Sequence, residues 1–151
     1  MSVSGSGAAW QSAPEAAPDT VVTVWRALAA SHAAACTALE RELGERHGLG
    51  VSDFEVLERL AESDEHRFRA QELADAVHLS QSALSRLIGR LEKHGLVERC
   101  MCDMDRRGIY VTLTEAGRQR HAEAAPTHRD VLASVLPDQL IASARAAGGE
   151  S

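Results

Sequence analysis

The sequence predicts a mainly α-helical domain with a small β-hairpin. Apolar residues recur at three- and four-residue steps over most of the chain, which is the period of amphipathic helices. Two short runs near residue 100 instead favour strands, the second of them with strand alternation, and they are joined by a polar turn that ends in glycine. With 151 residues, 44% hydrophobic and 25% charged, the chain is long enough to build a core of one globular domain.

Composition excludes a membrane-spanning chain. The longest apolar stretches, Leu28–Ala30 and Ala33–Cys36, are far shorter than the roughly twenty residues of a membrane-spanning helix. The first eighteen residues lack the charged and apolar regions of a secretory signal. Three cysteines in no framework spacing fit a reducing compartment. We therefore expect a cytoplasmic protein.

The N-terminal half begins with an arm and a long helix. Residues 1–18 are rich in Ala, Ser, Gly and Pro, and we expect them to be disordered. A helix from about Thr20 to His47 follows; its apolar positions are Val21, Trp25, Leu28, Ala35, Leu39 and Leu43. Ser52 and Glu55 predict a capping box that opens a second helix. Residues 62–68 are predicted to be a polar connection.

Two helices follow that connection. The first is short, from about Gln71 to Val77, and Ser80 is a good N-cap for the second, which Gly95 stops after about His94. One side of the second helix is apolar: Leu84, Leu87, Ile88 and Leu91. The opposite side is polar: Gln81, Ser82, Ser85, Arg86, Gly89 and Arg90.

The C-terminal part predicts a hairpin and two helices. The strands are Val97–Cys100 and Ile109–Leu113. Thr114 caps a helix that runs to about Pro126 and resumes to Leu136. A last short helix begins near Pro137.

A short helix, a turn, a capped helix and a basic-tipped hairpin form the order of a helix-turn-helix with a wing. A recognition helix needs an apolar side as anchor and short polar or Arg side chains opposite, and Ser80–Arg90 supplies both. Residues 67–107 hold eight Lys or Arg and six Asp or Glu, so their net charge is +2 although the whole chain carries −6. A solvated amphipathic surface helix is the alternative, and GC-rich coding also explains why fifteen of sixteen basic residues are Arg.

The turn of the hairpin strengthens the DNA-binding interpretation. Asp105 lies two residues before Arg107 and can hold its guanidinium by a charge-assisted contact. An Arg aimed from a narrow tip suits a narrow minor groove. The alternative is a surface hairpin with a solvated salt bridge.

Three blocks of this sequence together resemble one family. Leu91–Arg99 (LEKHGLVER), Asp105–Arg107 (DRR) and Leu113–Arg118 (LTEAGR) are similar to the multiple antibiotic resistance regulator (MarR) family, and the resemblance covers roughly residues 20–136. It implies a winged helix-turn-helix homodimer whose N- and C-terminal helices interlock. It also implies binding to double-stranded DNA at a palindromic operator, usually as a repressor.

The resemblance also implies site residues. Arg107 matches the wing-tip Arg of the minor groove, Asp105 its orienting partner, and Arg106 lies between them. The positions that meet DNA on the recognition helix are Ser80, Gln81, Ser82, Ser85, Arg86 and Arg90. Arg69 precedes the third helix and is expected to contact the DNA backbone.

The dimer is also supported by the first helix itself. It is longer than a small winged domain needs, and its apolar stripe would be exposed in a monomer, unless it packs on the last helices. We therefore divide the chain into an arm (1–18), an N-terminal dimerisation helix (19–50), a DNA-binding domain (51–113), C-terminal dimerisation helices (114–147) and a flexible tail (148–151).

Regulation is the part that the residues leave most open. The resemblance implies release by a small aromatic or phenolic effector, and His32 is a pocket candidate, although such a histidine is more often an interior residue. Cys36 is expected to be buried and inert, whereas Cys100 and Cys102 are ordinary strand residues or a thiol or soft-metal sensor.

The sequence offers no positive sign of catalysis. It contains no phosphate loop, nucleophile elbow or paired carboxylates in an apolar setting, and His121 and His128 predict no dense metal shell. We expect no enzyme, no cofactor and no metal. The alternatives are a winged-helix module that binds protein, and a metal- or thiol-sensing repressor.

Overall fold

The computed structural model describes residues 17–101 and 108–149, so residues 1–16 of the predicted arm, the tip of the hairpin and the last two residues lie outside it. The described chain is mainly α-helical with one small antiparallel sheet, as predicted. Its elements in chain order are α1 (Pro18–His47), α2 (Val51–Glu62), β1 (Arg67–Arg69), α3 (Ala70–Ala76), α4 (Gln81–Lys93), β2 (Val97–Met101), β3 (Ile109–Leu113), α5 (Glu115–Val135) and α6 (Asp138–Gly148).

The start of α2 differs from the prediction. Helix α2 begins at Val51, so Ser52 lies inside it and the Ser52–Glu55 capping box is wrong. The Gly50 N–H donates instead to Asp53 Oδ2 at 2.8 Å, and the Val51 N–H donates to Glu40 Oε1 of α1 at 2.9 Å. These carboxylates satisfy amides of the first turn that the helix itself leaves unpaired, so the helix starts two residues earlier than the predicted cap at Ser52 implies.

The sheet has a strand that the sequence did not predict. Residues 62–68 were expected to be a connection, but Arg67–Arg69 forms β1 and pairs with β3, with Phe68 opposite Val111. The strand order is β1-β3-β2, and both pairings are antiparallel. Three residues are too few to show a strand alternation, so only the neighbouring strand β3 defines β1.

Helix α5 is continuous, although the sequence predicted an interruption at Pro126. Thr114 caps the helix as predicted, because its Oγ1 accepts the Gly117 N–H at 3.0 Å. Beyond Pro126, Thr127 is buried and bonds to His47 Nε2 of α1 at 2.8 Å, and Val131 also packs in the core. Tertiary packing therefore holds the helix through a residue that disfavours helix locally.

One hydrophobic core joins the sheet to helices α1 to α5. It contains the predicted inner face of α2, with Phe54 and Leu57 fully buried, and the predicted apolar side of α4. Helices α1 and α5 close it through Leu43 and Ala124. Within residues 17–101 and 108–149, none of the helices is long and apolar enough to cross a membrane.

Two helices leave apolar surface uncovered. Trp25 of α1 is 69% exposed, and Leu140 of α6 is 44% exposed, while no residue of α6 is buried. The other large exposed hydrophobic residues of α1 are Val21, Val22, Val24 and Leu28. The N-terminal half of α1 and the whole of α6 therefore lack a covering layer in the single chain.

Candidate nucleic-acid interface

Helix α4 has the anchored side and the open side that the sequence predicts. Ser80 is its N-cap, and its Oγ accepts the Ala83 N–H at 3.1 Å. The four apolar residues of its inner side are buried: Leu84, Leu87, Ile88 and Leu91. Gly95, with φ of +72°, ends the turn that follows the helix. Helix α4 is thus held by its buried inner side and has a defined start and end.

Four predicted contact residues lie together on the open side of α4. Gln81, Ser82, Ser85 and Arg86 are all exposed. Two of them, Ser82 and Ser85, have short side chains, so an approaching surface can come close to the helix backbone there. A convex helix with small polar groups and one Arg has the shape and chemistry that a major groove accepts.

Arg90 is placed differently from these four residues. Its Nη2 lies 2.7 Å from Oδ1 of Asp53, and the Asp53 side chain is only 11% exposed. The hydrogen bond and the charge of Asp53 raise the pKa of Arg90 above its usual value. The guanidinium is therefore engaged at the start of α2 rather than grouped with Ser82, Ser85 and Arg86.

Arg99 of β2 is a residue of this surface that the sequence prediction missed. Its Nη2 donates to the backbone oxygen of Ser85, and its Nε lies 3.3 Å from Oε1 of Glu92. Arg99 thereby joins β2 to the side of α4 that carries the predicted contacts. The sequence contained it only as part of the block LEKHGLVER, which does not reveal that it turns back onto the helix.

Arg69 lies at the end of β1 in the sheet. It is the N-cap residue of α3, and its Nη2 donates to the Tyr110 hydroxyl at 3.4 Å. The guanidinium of Arg67 lies 4.5 Å from the centre of the same ring, a cation–π arrangement. Two arginines and one tyrosine thus form a basic edge on β1 and β3.

The tip of the hairpin lies outside the described residues, so Asp105, Arg106 and Arg107 have no geometry here. The strands that lead to it are described, and Met101 pairs with Ile109 at their ends. The predicted hairpin is therefore formed up to its last pair, and the roles of the three tip residues stay predictions.

His32, the predicted pocket residue, is exposed on α1 in the single chain. Its Nε2 lies 3.6 Å from Sγ of Cys36, one helical turn later, and Cys36 is half-buried. A part in effector binding stays a prediction for His32.

A cluster of ionisable side chains joins α2 to α5. Ligand atoms of Glu55, Glu58 and His128 lie within 4.8 Å of one another, which the sequence did not predict because the two helices are distant along the chain. Arginines already pair with both carboxylates: Arg129 Nη2 lies 2.6 Å from Glu58 and Arg59 Nε lies 3.2 Å from Glu55. We assign no ion to this cluster.

The same cluster shifts two pKa values. Burial lowers the pKa of His128, whose ring stacks on Phe54 at a centroid distance of 4.2 Å. Burial would raise the pKa of Glu58, but the hydrogen bond and charge of Arg129 outweigh it, and the pKa is lowered. A neutral His128 and an ionised Glu58 are therefore the favoured forms near pH 7.

Comparisons with known proteins fit this geometry. A family profile described as the MarR family matches residues 47–108, which span α2 to the end of the hairpin turn. The transcriptional repressor MprA of Escherichia coli strain K12 is 32% identical over 85 residues. That match covers 56% of this chain and 48% of MprA, so the chain spans about half the length of this curated relative.

Solved structures match over a larger part of the chain. AbsC, a MarR family transcriptional regulator from Streptomyces coelicolor, is 33% identical and has a TM-score of 0.73, covering 88% of this chain and 92% of AbsC. Sco3205 from the same organism, solved in complex with DNA, is 29% identical with a TM-score of 0.75, covering 89% and 87% of the two chains. By this similarity over nearly the whole of AbsC, the chain belongs to the MarR family of transcriptional regulators.

Proposed function

We propose that the chain is a homodimeric, sequence-specific regulator that binds double-stranded DNA, most simply as a repressor. The observation that carries the proposal is α4, whose inner side is buried in the core while Ser82, Ser85 and Arg86 stay exposed on the other side. None of the relatives reported above is described as an enzyme, and a role without catalysis is part of the proposal.

Each part of the surface has a role on DNA. Helix α4 enters the major groove, where Ser82 and Ser85 allow a close approach and Arg86 reaches a guanine edge or a phosphate. Arg99 fixes Ser85 and adds positive charge beside the helix. Arg107 at the hairpin tip, oriented by Asp105, enters the adjacent minor groove.

A second copy of the chain supplies the missing layer on α1 and α6. Trp25 and the neighbouring apolar residues of α1 are too exposed for a stable monomer surface, and α6 buries nothing in the single chain. A two-fold dimer presents two α4 helices, and such a pair fits a palindromic operator. We keep the division of the chain at residues 19–50, 51–113 and 114–147 as part of this proposal.

Release by a small aromatic or phenolic effector completes the proposal. His32 and Cys36 lie on α1, the helix that the second copy would cover. An effector near His32 would therefore act on the helix that belongs to the proposed dimer body.

The test is a fluorescence anisotropy titration of the duplex upstream of the protein's own coding sequence, beside a scrambled duplex and at several salt concentrations. We expect tight, salt-dependent binding with a large preference for the upstream duplex. Arg86→Ala should lower that preference by about 1–3 kcal/mol if Arg86 reads a base. Arg46→Ala, at the exposed end of α1, is the matched control and should change nothing.

A second variant tests the hairpin tip. Arg107→Ala should weaken operator binding strongly and leave the melting temperature almost unchanged, because a tip residue supports no core. Equal, weak binding of both duplexes by the wild type would contradict the proposal and favour a winged-helix module that binds protein.

A further inference from the structure

Asp53 is a buried carboxylate at the junction of three helices. Among the described residues it is the one charged side chain in the buried class, with 8% of the residue exposed. Its Oδ2 accepts the Gly50 N–H at 2.8 Å, and its Oδ1 pairs with Arg90 Nη2 at 2.7 Å. A buried charge is stable only with such partners, so the position of Arg90 matters to Asp53.

Glu40 extends this contact to α1. Its Oε1 accepts the Val51 N–H at 2.9 Å, one residue from the Gly50 amide that Asp53 holds. The charge of Glu40 also adds to the effect of Asp53 in raising the pKa of Arg90. Helices α1, α2 and α4 therefore meet in one polar network that consists of Glu40, Asp53, Arg90 and two backbone amides.

The network meets the recognition helix at Arg90, between the exposed contact residues and the buried Leu91. Arg90 lies four residues after Arg86 on α4, and the next residue, Leu91, is buried in the core. Helix α1 belongs to the proposed dimer body. The network therefore links that body to each recognition helix through the Glu40–Val51 hydrogen bond and the Asp53–Arg90 ion pair.

We propose that Arg90 is a positioning residue, which sets the orientation of α4 on α2 by binding Asp53 and does not itself contact DNA. This inference rests on the proposed function and changes the role that the sequence assigned to Arg90. The orientation of α4 sets how its exposed residues meet the groove. A substitution at Arg90 therefore changes how Ser85 and Arg86 meet DNA, although they are not part of the network around Asp53.

A double-mutant cycle on operator affinity separates positioning from direct contact. Arg90→Gln leaves the buried Asp53 without its charged partner, and Asp53→Asn leaves Arg90 without its own, so each should weaken operator binding by roughly tenfold. The double variant removes both charges and should bind much closer to the wild type than the sum of the two losses. Arg90→Lys should restore part of the affinity.

Direct contact predicts a different pattern. If Arg90 binds a phosphate, Arg90→Gln reduces the salt slope by about one, Asp53→Asn does not reproduce its effect, and the double variant shows additive losses. Arg86→Gln, one turn earlier on the same helix, is the matched comparison. Additive losses with a reduced slope would overturn the inference.

A measurement without DNA keeps the inference distinct from the proposed function. Amide hydrogen exchange of α4 should be faster in Arg90→Gln and in Asp53→Asn, and close to wild type in the double variant. If the wild type prefers no duplex, the proposed function fails, whereas coupled exchange still supports a positioning role. Unchanged α4 exchange in both single variants would overturn the inference, whatever the DNA results.

Discussion

Gly117→Ala tests how closely α5 lies against the hairpin. Gly117 is in the first turn of α5, and a Cβ atom on it would lie 2.1 Å from the backbone oxygen of Leu96 and 2.7 Å from Cδ1 of Leu113. Ordinary contact begins near 3.4 Å, so the start of α5 would have to move by more than 1 Å. Backbone atoms cannot turn aside as a flexible side chain does.

The cost can be built from the contacts that such a shift would disturb. Overpacking of this kind costs about 1–3 kcal/mol. The shift also strains the bond from Thr114 N–H to Leu96 O at 3.1 Å and the bond from Thr114 Oγ1 to Gly95 O at 2.6 Å, each worth about 1 kcal/mol. Alanine returns about 1 kcal/mol of helix propensity. We expect a net loss of roughly 2–4 kcal/mol in the free energy of unfolding.

Urea unfolding at a fixed protein concentration measures this loss, since a dimer's stability depends on concentration. Gly44→Ala is the matched control. Gly44 also lies inside a helix, but a Cβ there meets nothing within 4 Å, so it should stabilise by about 0.5–1 kcal/mol. If Gly117→Ala is neutral or gains stability as Gly44→Ala does, the close approach of α5 to Leu96 is refuted.

Three further predictions concern other parts of the molecule. Trp25→Glu, at a 69% exposed apolar position, should convert the proposed dimer to monomer in sedimentation without unfolding the chain; an unchanged mass would contradict that interface. The lowered pKa of His128 means that the folded state resists its protonation, so stability is full above about pH 6.5 and falls as the pH drops below it. His128→Phe keeps the stack on Phe54 and should reduce the change of melting temperature between pH 7.5 and 5. His94→Gln, at an exposed position, should leave that pH dependence unchanged. Pro126→Ala should raise the free energy of unfolding by about 1–3 kcal/mol, because proline removes a backbone donor from a helix that packing already keeps continuous; a loss would show that α5 needs the proline.

Local chemistry explains why parts of the site could be predicted. The Ser80 hydroxyl caps α4 by accepting the N–H of Ala83, only three residues later, and the apolar side of α4 repeats with the helical period. A short window of sequence is therefore enough to predict this helix and its buried side. The cap of α5 by Thr114 is equally local. The resemblance of three spaced blocks supplied the family, and the comparison with AbsC confirms it.

What the sequence alone determined is therefore the identity of the elements that touch DNA in the proposed function, and the residues exposed on α4. What only the tertiary structure decided are contacts between residues far apart in the chain. Arg90 finds Asp53 across 37 positions, β1 exists because β3 lies beside it, and α5 passes Pro126 because its far half packs on α1. Periodicity and capping act within a few residues, whereas the partner of a charge or of a strand edge is fixed only when the core brings distant segments together.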